Sequence, residues 1–417
     1  MERKNFAVLC AAVLCFWLFA LALGTAEGVG LRAVMHPEER TVSADVEEAA
    51  EGILLPTAAA APQLDLNCRA AILIEQGSGR VLYEKNADER REVASITKLM
   101  TALLVLEALD RDEIALTDSV QISPRAAAMK GSQALLDASA VYPLEDLLRT
   151  TIMASANDSA VALSEYIAGS EENFVDRMNR RAAELGMTNT NYVNCTGYPQ
   201  SGQYTTARDV CRLCCEIAKH PRYNQYASVW IDKLTHPGGR VTDLTNTNRL
   251  VRFYEGCDGY KTGSTDAAKY CLAATAEKNG MRLVAIVLGT PVSQTRFNEA
   301  RQMLDYGFAT YRRVVIANKG DLLGQNVEVR GGSAESVPLA LGSGLSMLLK
   351  NGQQSGLSLS VQLPESVDAP IAQGDVIGLV DVLLDGQVIA KLNCVAAEDV
   401  PRPGFIEGLL RILRNWR

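Results

Sequence analysis

The stretch "GYKTGSTDAAKYCLAATAEKNGMRLVAIVLGTP" (Gly259–Pro291) decides the fold, because two runs dense in apolar residues flank Asn279-Gly280. Asn-Gly favours a tight turn between antiparallel strands, so this stretch predicts a β-hairpin. A second hairpin signal lies far upstream, in "RAAILIEQGSGRVLYEKN" (Arg69–Asn86), where two short apolar runs flank Gly77-Ser78-Gly79. The domain therefore has strands at both ends, and its sheet is predicted to join distant segments of the chain.

The region between these hairpins is predicted to be helical, because its apolar residues recur at three- and four-residue intervals. The segments with this pattern are "LEDLLRTTIMASAN", "DSAVALSEYIAG", "EENFVDRMNRRAAELGM" and "TARDVCRLCCEIAKH". An amphipathic helix, "QTRFNEARQMLDYGFATYRR", closes the region. Strands at both ends with helices between them predict an α+β domain, an antiparallel sheet with a helical region, over residues 64–311.

The C-terminal part of the chain has a different character. Over residues 312–400, short apolar runs alternate with turns such as Asp385-Gly386, which predicts a small all-β domain with a spacer or partner-docking role. Residues 401–417 combine a broad apolar face with Arg411, Arg414 and Arg417. This pattern is typical of an amphipathic helix that lies in a membrane interface. The alternative is a helix docked on its own domain.

The N-terminal segment predicts export. A basic start leads into an apolar run from Phe6 to Leu23 and then into small residues, which indicates a signal peptide over residues 1–26. An uncleaved membrane anchor is the alternative. Residues 27–63 are rich in Ala, Glu and Pro and are predicted to be a flexible spacer. With the C-terminal helix, these features predict a location at the extracytoplasmic face of the cytoplasmic membrane.

Composition excludes one class of partner and argues against another kind of site. The 417 residues carry a net charge of −8, with Lys and Arg spread along the chain, whereas a nucleic-acid surface requires a basic patch. Cys211, Cys214 and Cys215 lie in a helical pattern with only His220 as a nearby histidine, so they are interpreted as apolar helix-face residues. No metal and no cofactor are predicted, and pairing among the other cysteines stays open.

Catalytic chemistry is first indicated by "EVASITKLMTALLVLEAL" (Glu92–Leu109), where Ser95 and Lys98 stand one turn apart at the start of an apolar helix. A hydroxyl needs a base to become a nucleophile, and none of the three histidines has a setting that suggests this role. A lysine can serve if burial or a nearby cation keeps its amine neutral. The alternative is a helix-capping Ser with a Lys that reaches solvent.

Two further motifs strengthen the catalytic interpretation. Ser155-Ala156-Asn157 lies between two helical stretches, and Lys261-Thr262-Gly263 opens a predicted strand. A helix N-cap would explain Ser155 or Asn157 equally well. Together, in this order and on these elements, the three motifs resemble those of the serine-type D-alanyl-D-alanine carboxypeptidases, the low-molecular-mass penicillin-binding proteins. The resemblance runs from about Leu64 to Tyr311, continues weakly through the β domain and includes the amphipathic tail.

The resemblance implies a penicillin-binding/β-lactamase-like fold and a role for each motif. Ser95 would attack the carbonyl of the penultimate D-Ala and become acylated, with Lys98 as the general base. Ser155 would relay the proton to the leaving amine. Asn157 would hydrogen-bond the peptide and help to position Lys98.

The resemblance also implies a set of substrate-binding residues. Lys261 would favour a neutral Lys98 and attract the terminal carboxylate of the substrate, with help from Thr262 and Thr265. Arg296 falls where the family carries a carboxylate-binding Arg, and its guanidinium fork suits that role. The alternative for Arg296 is a surface position on a helix.

Two expectations concern the strand itself. Gly263, which lacks a side chain, would leave the strand edge open for pairing with a peptide. The backbone N–H groups of Ser95 and Ser264 would be the oxyanion donors.

The function implied is hydrolysis: release of the terminal D-Ala from peptidoglycan stem pentapeptides through a Ser95 acyl-enzyme, with β-lactam antibiotics as covalent inhibitors. A transpeptidase would use the same acyl-enzyme with an amine as acceptor. A β-lactamase commonly needs an extra Glu for deacylation, and the candidates Glu171, Glu172 and Glu184 lie on a helical pattern. A non-catalytic wall-binding protein is the alternative from another class.

Overall fold

The computed structural model describes residues 64–406. The predicted signal peptide, the spacer and residues 407–417 of the predicted membrane helix lie outside the described residues. The described chain divides into two compact units. The larger unit contains residues 64–316 and Leu345–Gly352, and the smaller unit contains Ala317–Gly344 and residues 353–406.

The strands and helices of the larger unit follow the predicted order. Its strands are β1 (Ala70–Glu75), β2 (Arg80–Lys85), β3 (Ser119–Gln121), β4 (Val141–Pro143), β5 (Ile231–Thr235), β6 (Val241–Thr245), β7 (Cys257–Thr265), β8 (Lys269–Lys278), β9 (Met281–Thr290), β10 (Tyr311–Ala317) and β13 (Leu345–Lys350). Its helices are α1 (Lys98–Asp110), α2 (Pro124–Ala127), α3 (Leu144–Met153), α4 (Asn157–Ala168), α5 (Glu171–Glu184), α6 (Ala207–Ile217), α7 (Pro221–Ala227), α8 (Leu250–Phe253) and α9 (Ser293–Thr310). A 3-10 turn, Ala94–Thr97, directly precedes α1 and is called the Ser95 turn below.

A five-stranded antiparallel sheet in the order β2-β1-β9-β8-β7 forms the framework of the larger unit. Both predicted hairpins are confirmed, and Asn279 and Gly280 both have positive φ angles in the β8–β9 turn. The pairing of β1 with β9 joins residues more than 200 positions apart, as the sequence predicted for this sheet. Strand β7, which carries Lys261-Thr262-Gly263, is an edge strand of the sheet.

Both faces of the sheet are buried. Along β9, Ile286 and Leu288 pack in one hydrophobic cluster with α1, α3 and α4, whereas Ala285 and Val287 pack in a second cluster with α9. This alternation follows the two-residue period of a strand, and burial on both sides explains the nearly continuous apolar run in the sequence. Helix α1 is apolar on most of its surface, which fits its position within the first cluster.

The smaller unit is all-β, as predicted. Its strands are β11 (Leu322–Arg330), β12 (Ser336–Leu341), β14 (Leu357–Gln362), β15 (Ser366–Asp368), β16 (Val376–Leu384) and β17 (Gln387–Ala396). They form one sheet in the order β14-β16-β17-β12-β11-β15, and a 3-10 turn spans Gln353–Gly356. One strand from this stretch of sequence, β13, pairs instead with β10 in the larger unit. The apolar runs alone do not indicate that β13 pairs with β10, because local periodicity does not specify which strands pair.

None of the described helices has the length and apolar character needed to cross a bilayer.

Candidate active site

Ser95 lies on the 3-10 turn that leads into α1, and it is half-buried. The preceding residue, Ala94, has a φ of 51°, a left-handed conformation that costs a non-glycine residue about 1–2 kcal/mol. The N-cap residues of the turn and of the helix are Val93 and Thr97, and neither makes a side-chain cap. The alternative of a helix-capping Ser95 is therefore wrong.

Lys98 is buried beside Ser95. Its side chain is 1% exposed, and its Nζ lies 3.0 Å from Ser95 Oγ and 2.7 Å from the carbonyl oxygen of Thr196. Burial lowers the pKa of Lys98 to about 7, against weaker opposing effects of Cys195 and Asp158. The alternative in which Lys98 reaches solvent is wrong, and a substantial fraction of this amine is neutral at neutral pH.

Lys261 is a second buried amine, in the middle of β7 rather than at its opening as predicted. Burial lowers the pKa of Lys261 well below its usual value, and the neighbouring Lys98 and Arg296 lower it further. Its Nζ donates to the carbonyl of Thr262 at 3.3 Å. Burial is therefore the main cause of the low pKa of both amines, and repulsion from neighbouring cations adds to it at Lys261.

Ser155 lies between α3 and α4, as predicted. It is 3% exposed and has a φ of 62°, again in the left-handed region. The N-cap residue of α4 is Ala156, so the helix-capping alternative for Ser155 and Asn157 is wrong. Asn157 Nδ2 donates to the carbonyl of Lys130 at 2.6 Å, and the described residues show no hydrogen bond between Asn157 and Lys98. The expected positioning of Lys98 by Asn157 is not seen. Lys98 Nζ instead hydrogen-bonds Ser95 Oγ and the carbonyl oxygen of Thr196.

Gly263 allows β7 to approach the Ser95 turn closely. A Cβ atom at Gly263 would lie 2.2 Å from the carbonyl oxygen of Val93 and 3.2 Å from the backbone nitrogen of Ile96. The resemblance implied that this glycine leaves the strand edge open, and its close contact with the Ser95 turn adds a packing reason for it. Ser264, which follows, is exposed, and Thr265 at the end of the strand is half-buried.

Thr262 has a partner that the sequence analysis missed. Its Oγ1 donates to Thr247 Oγ1 at 2.7 Å, and the backbone N–H of Thr247 donates to the carbonyl of Met153 at 3.2 Å. Thr247 thus connects β7 to the end of α3, two residues before Ser155. The signal in the sequence is slight: Asn246 and Asn248, which form side-chain turns with the backbone, flank this residue.

Arg296 is buried on the first turn of α9, so its alternative as a surface residue is wrong. Its Nη1 donates to the carbonyl of Gly263 at 3.0 Å, and its Nη2 donates to Ser293 Oγ at 3.4 Å. Its Nε is buried and has no hydrogen-bond partner among the described residues. The guanidinium therefore lies against β7 beside the Lys-Thr-Gly motif, with one donor unused.

A short segment, Asn194 to Gly197, supports the Ser95 turn and was also missed. Gly197 has a φ of 77°, and a Cβ atom there would lie 1.9 Å from the carbonyl oxygen of Ala94. Asn194 Oδ1 accepts the backbone N–H groups of Thr196 and Gly197 at 3.2 and 2.7 Å. The Ser95 turn is thus packed between Gly197 and Gly263, and the segment supplies the carbonyl that receives Lys98.

The described histidines have other partners. His236 hydrogen-bonds Tyr142 and Thr242, and His220 hydrogen-bonds Asp110. Potential metal-ligand atoms of His220, Glu107 and Glu216 lie within 4.8 Å of one another. Arg181 donates to the carboxylates of Glu107 and Glu216, so a cationic side chain already offsets part of their negative charge. The eight described cysteines are free thiols.

Comparison with known proteins decides the family. The sequence model of the D-alanyl-D-alanine carboxypeptidases, peptidase family S11, matches residues 56–292. The chain belongs to the D-alanyl-D-alanine carboxypeptidase family. The model of the C-terminal domain of penicillin-binding protein 5 matches residues 311–402. The resemblance that the three motifs indicated is thereby confirmed.

Curated relatives in the D-alanyl-D-alanine carboxypeptidase family align over most of this chain. D-alanyl-D-alanine carboxypeptidase DacF of Bacillus subtilis is 37% identical over 355 residues, 85% of this chain and 91% of the relative. D-alanyl-D-alanine carboxypeptidase DacC of Escherichia coli is 35% identical over 370 residues, 85% of this chain and 90% of the relative.

Solved structures of penicillin-binding proteins share the fold. Penicillin-binding protein 5 from Haemophilus influenzae is 31% identical with a TM-score of 0.65, covering 84% of this chain and all of that one. Penicillin-binding protein D2 from Listeria monocytogenes, in its ampicillin-bound form, is 33% identical with a TM-score of 0.54. It covers 59% of this chain and 100% of that chain. The predicted fold class, a penicillin-binding-protein-like α+β domain followed by an all-β domain, is confirmed.

Proposed function

We propose that this protein is a serine D-alanyl-D-alanine carboxypeptidase that removes the terminal D-Ala from peptidoglycan stem pentapeptides. The observation that carries the proposal is the buried amine of Lys98, which lies 3.0 Å from Ser95 Oγ and has a pKa of about 7. An amine that is largely neutral near physiological pH can accept a proton, and a hydroxyl that loses its proton becomes a nucleophile. Family membership supports the same reaction.

In the proposed acylation step, Lys98 takes the proton of the Ser95 hydroxyl while Oγ attacks the carbonyl carbon of the penultimate D-Ala. The C–N bond to the terminal D-Ala then breaks, and the proton passes through Ser155 to the leaving amine. A water molecule attacks the resulting ester and regenerates Ser95. The left-handed backbone at Ala94 and Ser155 is consistent with strain retained at reacting positions.

The proposed binding mode uses β7 and the charges behind it. Backbone N–H groups of Ser95 and Ser264 would stabilise the oxyanion, and the peptide would pair along the edge strand. Lys261 and Arg296 would attract the terminal carboxylate, with Thr262 and Thr265 as further hydrogen-bond donors. Arg296 donates to the carbonyl of Gly263, so its charge lies beside the Lys-Thr-Gly motif, which supports this assignment.

The β-lactamase alternative lacks a positioned glutamate. Glu171 binds the backbone N–H of Cys195 and the guanidinium of Arg125, and Glu172 also pairs with Arg125. Glu184 pairs with Arg181 on the same helix. Among the described hydrogen bonds, none of these carboxylates reaches Ser95 or Lys98.

Transpeptidation is the second candidate function, because a serine-to-alanine mutant of the Streptomyces K15 DD-transpeptidase is a solved structure of the same fold. That structure is 27% identical with a TM-score of 0.56, and it covers 59% of this chain and 100% of that one. The two reactions share the acyl-enzyme and differ in the acceptor. Incubating the enzyme with stem pentapeptide, with and without an added amine acceptor, distinguishes free tetrapeptide from a cross-linked product.

The experiment that tests the proposed function locates a covalent adduct. Mass spectrometry after incubation with penicillin should find the adduct on Ser95, and wild type should release D-Ala from pentapeptide. Ser95→Ala should do neither, whereas Ser201→Ala, a change at an exposed serine, should do both. Absence of an adduct and of D-Ala release in wild type would refute the proposal and favour a non-catalytic wall-binding protein.

A location at the extracytoplasmic membrane face is part of the same proposal. The predicted signal peptide and the basic amphipathic tail support it, and two residues at the start of the tail, Phe405 and Ile406, are 88% and 74% exposed. Large exposed apolar side chains are favourable where they can enter a lipid interface.

A further inference from the structure

We infer that Glu171 is a positioning residue that sets the place and the ionisation of Lys98 through the segment from Asn194 to Gly197. This inference rests on the proposed function, because it assigns Glu171 a role in aligning the catalytic base. Sequence alone suggested Glu171 only as a candidate for activating water in a β-lactamase.

Glu171 is a buried carboxylate at the start of α5. The residue is 7% exposed, and its Oε1 accepts a hydrogen bond from the backbone N–H of Cys195 at 3.0 Å. Its Oε2 accepts Nη2 of Arg125, which is about half exposed. Burying a carboxylate costs free energy unless its oxygens accept hydrogen bonds. Here one of the two oxygens accepts from a single backbone amide, that of Cys195. The carboxylate therefore fixes that amide firmly.

The peptide groups around Cys195 connect this carboxylate to the base. Thr101, one turn after Lys98 on α1, donates its Oγ1 to the carbonyl of Cys195 at 2.6 Å. The next carbonyl, that of Thr196, accepts Lys98 Nζ at 2.7 Å. Glu171 thus accepts from the N–H of Cys195, and Thr101 donates to its C=O. The orientation of the next peptide group, which contains the carbonyl of Thr196, depends on both hydrogen bonds.

The Thr196 carbonyl affects both the geometry and the charge of Lys98. It directs Nζ so that the same amine also lies 3.0 Å from Ser95 Oγ. A carbonyl acceptor stabilises an ammonium more than a neutral amine, so its loss lowers the pKa of the amine. The other charged or titratable groups that act on Lys98 or face it are Asp158 on α4, the thiol of Cys195 and Lys261 on β7.

Removing Glu171 should therefore change the base in two ways. In Glu171→Ala, the N–H of Cys195 loses its acceptor, the segment shifts, and the Thr196 carbonyl moves away from Nζ. The maximal rate of acylation by labelled penicillin should fall by about tenfold or more, since small misplacements of a reacting group are costly. The midpoint of the acid limb of the rate should also move to lower pH, because the ammonium loses its carbonyl acceptor.

Matched variants separate positioning from general destabilisation. Glu171→Gln keeps an oxygen acceptor for Cys195 and should retain the rate within about threefold, with a midpoint close to that of wild type. Arg125→Met removes the ion pair but leaves the bond from Glu171 to Cys195, and it should acylate like wild type. Thr101→Val, which removes the second hold on Cys195, should lower the rate even if Glu171→Ala does not fold.

The outcomes that overturn the inference are specific. Wild-type rate and midpoint in a folded Glu171→Ala would overturn it. An effect of Arg125→Met as large as that of Glu171→Ala would assign the effect to the ion pair instead and also overturn it. If Glu171→Ala does not fold, a wild-type rate in Thr101→Val would count against the inference. Failure of the proposed function is distinguishable, because wild type itself would then show no acylation.

Discussion

At the scale of single residues, the unusual feature is a pair of buried amines. Lys98 and Lys261 are each 1% exposed, and burial lowers the pKa of both from the usual 10.5. In the unfolded chain the amines return to water and bind protons up to about pH 10.5. The unfolded state thus binds more protons than the folded state between about pH 7 and 10.5 for Lys98, so this residue makes stability fall as the pH falls through that window. The fold retains these amines at a thermodynamic cost.

Replacing the base should therefore stabilise the fold while it abolishes acylation. We expect Lys98→Met to raise the free energy of unfolding on the order of 2–4 kcal/mol at pH 6, where the buried amine is mostly charged. At pH 10 the gain should be much smaller, because this pH lies close to the unfolded pKa of 10.5 and removing the proton on folding then costs little free energy. Urea denaturation at the two pH values measures the difference. Lys233→Met, at an exposed lysine, is the control, and equal losses of stability at both pH values in Lys98→Met would contradict the expectation.

The same pKa governs the rate of acylation. The neutral amine of Lys98 is the reactive form, so the second-order rate constant for penicillin labelling should rise with pH and reach half of its plateau near pH 7. Penicillin labelling that is stopped at fixed times, at pH values from 5 to 9, measures this rise of the rate with pH. A rate that stays constant from pH 6 to 8 would argue against Lys98 as the general base.

At the scale of elements, the site depends on how closely two backbones approach the Ser95 turn. Gly263 of β7 contacts one side of the turn, and Gly197 contacts the other. Both contacts join segments that are about 100 or more residues apart. They hold the turn that carries Ser95 and leads into Lys98 against β7, which carries Lys261.

This arrangement explains which parts of the site could be predicted from sequence. Helix and strand periods, the hairpin turns and the three motifs are local, so they are visible in short windows of the chain. The contacts of Thr196, Thr247 and Glu171 are made across the fold by residues of ordinary type, and no local pattern marks them. The burial of Arg296 was equally hidden, because an arginine on an amphipathic helix has the same sequence signature whether it faces solvent or a strand.

A methyl group at Gly263 should separate β7 from the Ser95 turn. In Gly263→Ala, the added Cβ meets the carbonyl of Val93, so we expect acylation to fall about 100-fold. Overpacking of this kind should also lower the free energy of unfolding by about 1–3 kcal/mol. Penicillin labelling and urea denaturation measure the two effects. Gly238→Ala has open space around the new methyl group and should change neither, whereas full acylation in Gly263→Ala would show that the close approach is unnecessary.

At the scale of the whole molecule, all of the described site residues belong to the larger unit, and the smaller unit separates this unit from the tail along the chain. The smaller unit is formed by one six-stranded sheet, and its sequence does not predict a catalytic site. A spacer or docking role for it remains our prediction. The tail then supplies the proposed means of holding a catalytic unit at a membrane surface.

Removing residues 404–417 should release the protein from membranes without affecting its chemistry. We expect the full chain to sediment with vesicles that contain anionic lipid, because apolar burial and attraction of the basic residues act together. The truncated chain should stay in the supernatant and keep the wild-type rate of penicillin labelling. Replacing Arg411, Arg414 and Arg417 by Gln should weaken binding to anionic vesicles more than binding to neutral ones. Sedimentation of the truncated chain would instead assign membrane attachment to the N-terminal apolar segment, and a truncated chain that no longer acylates would show that the tail contributes to the catalytic unit.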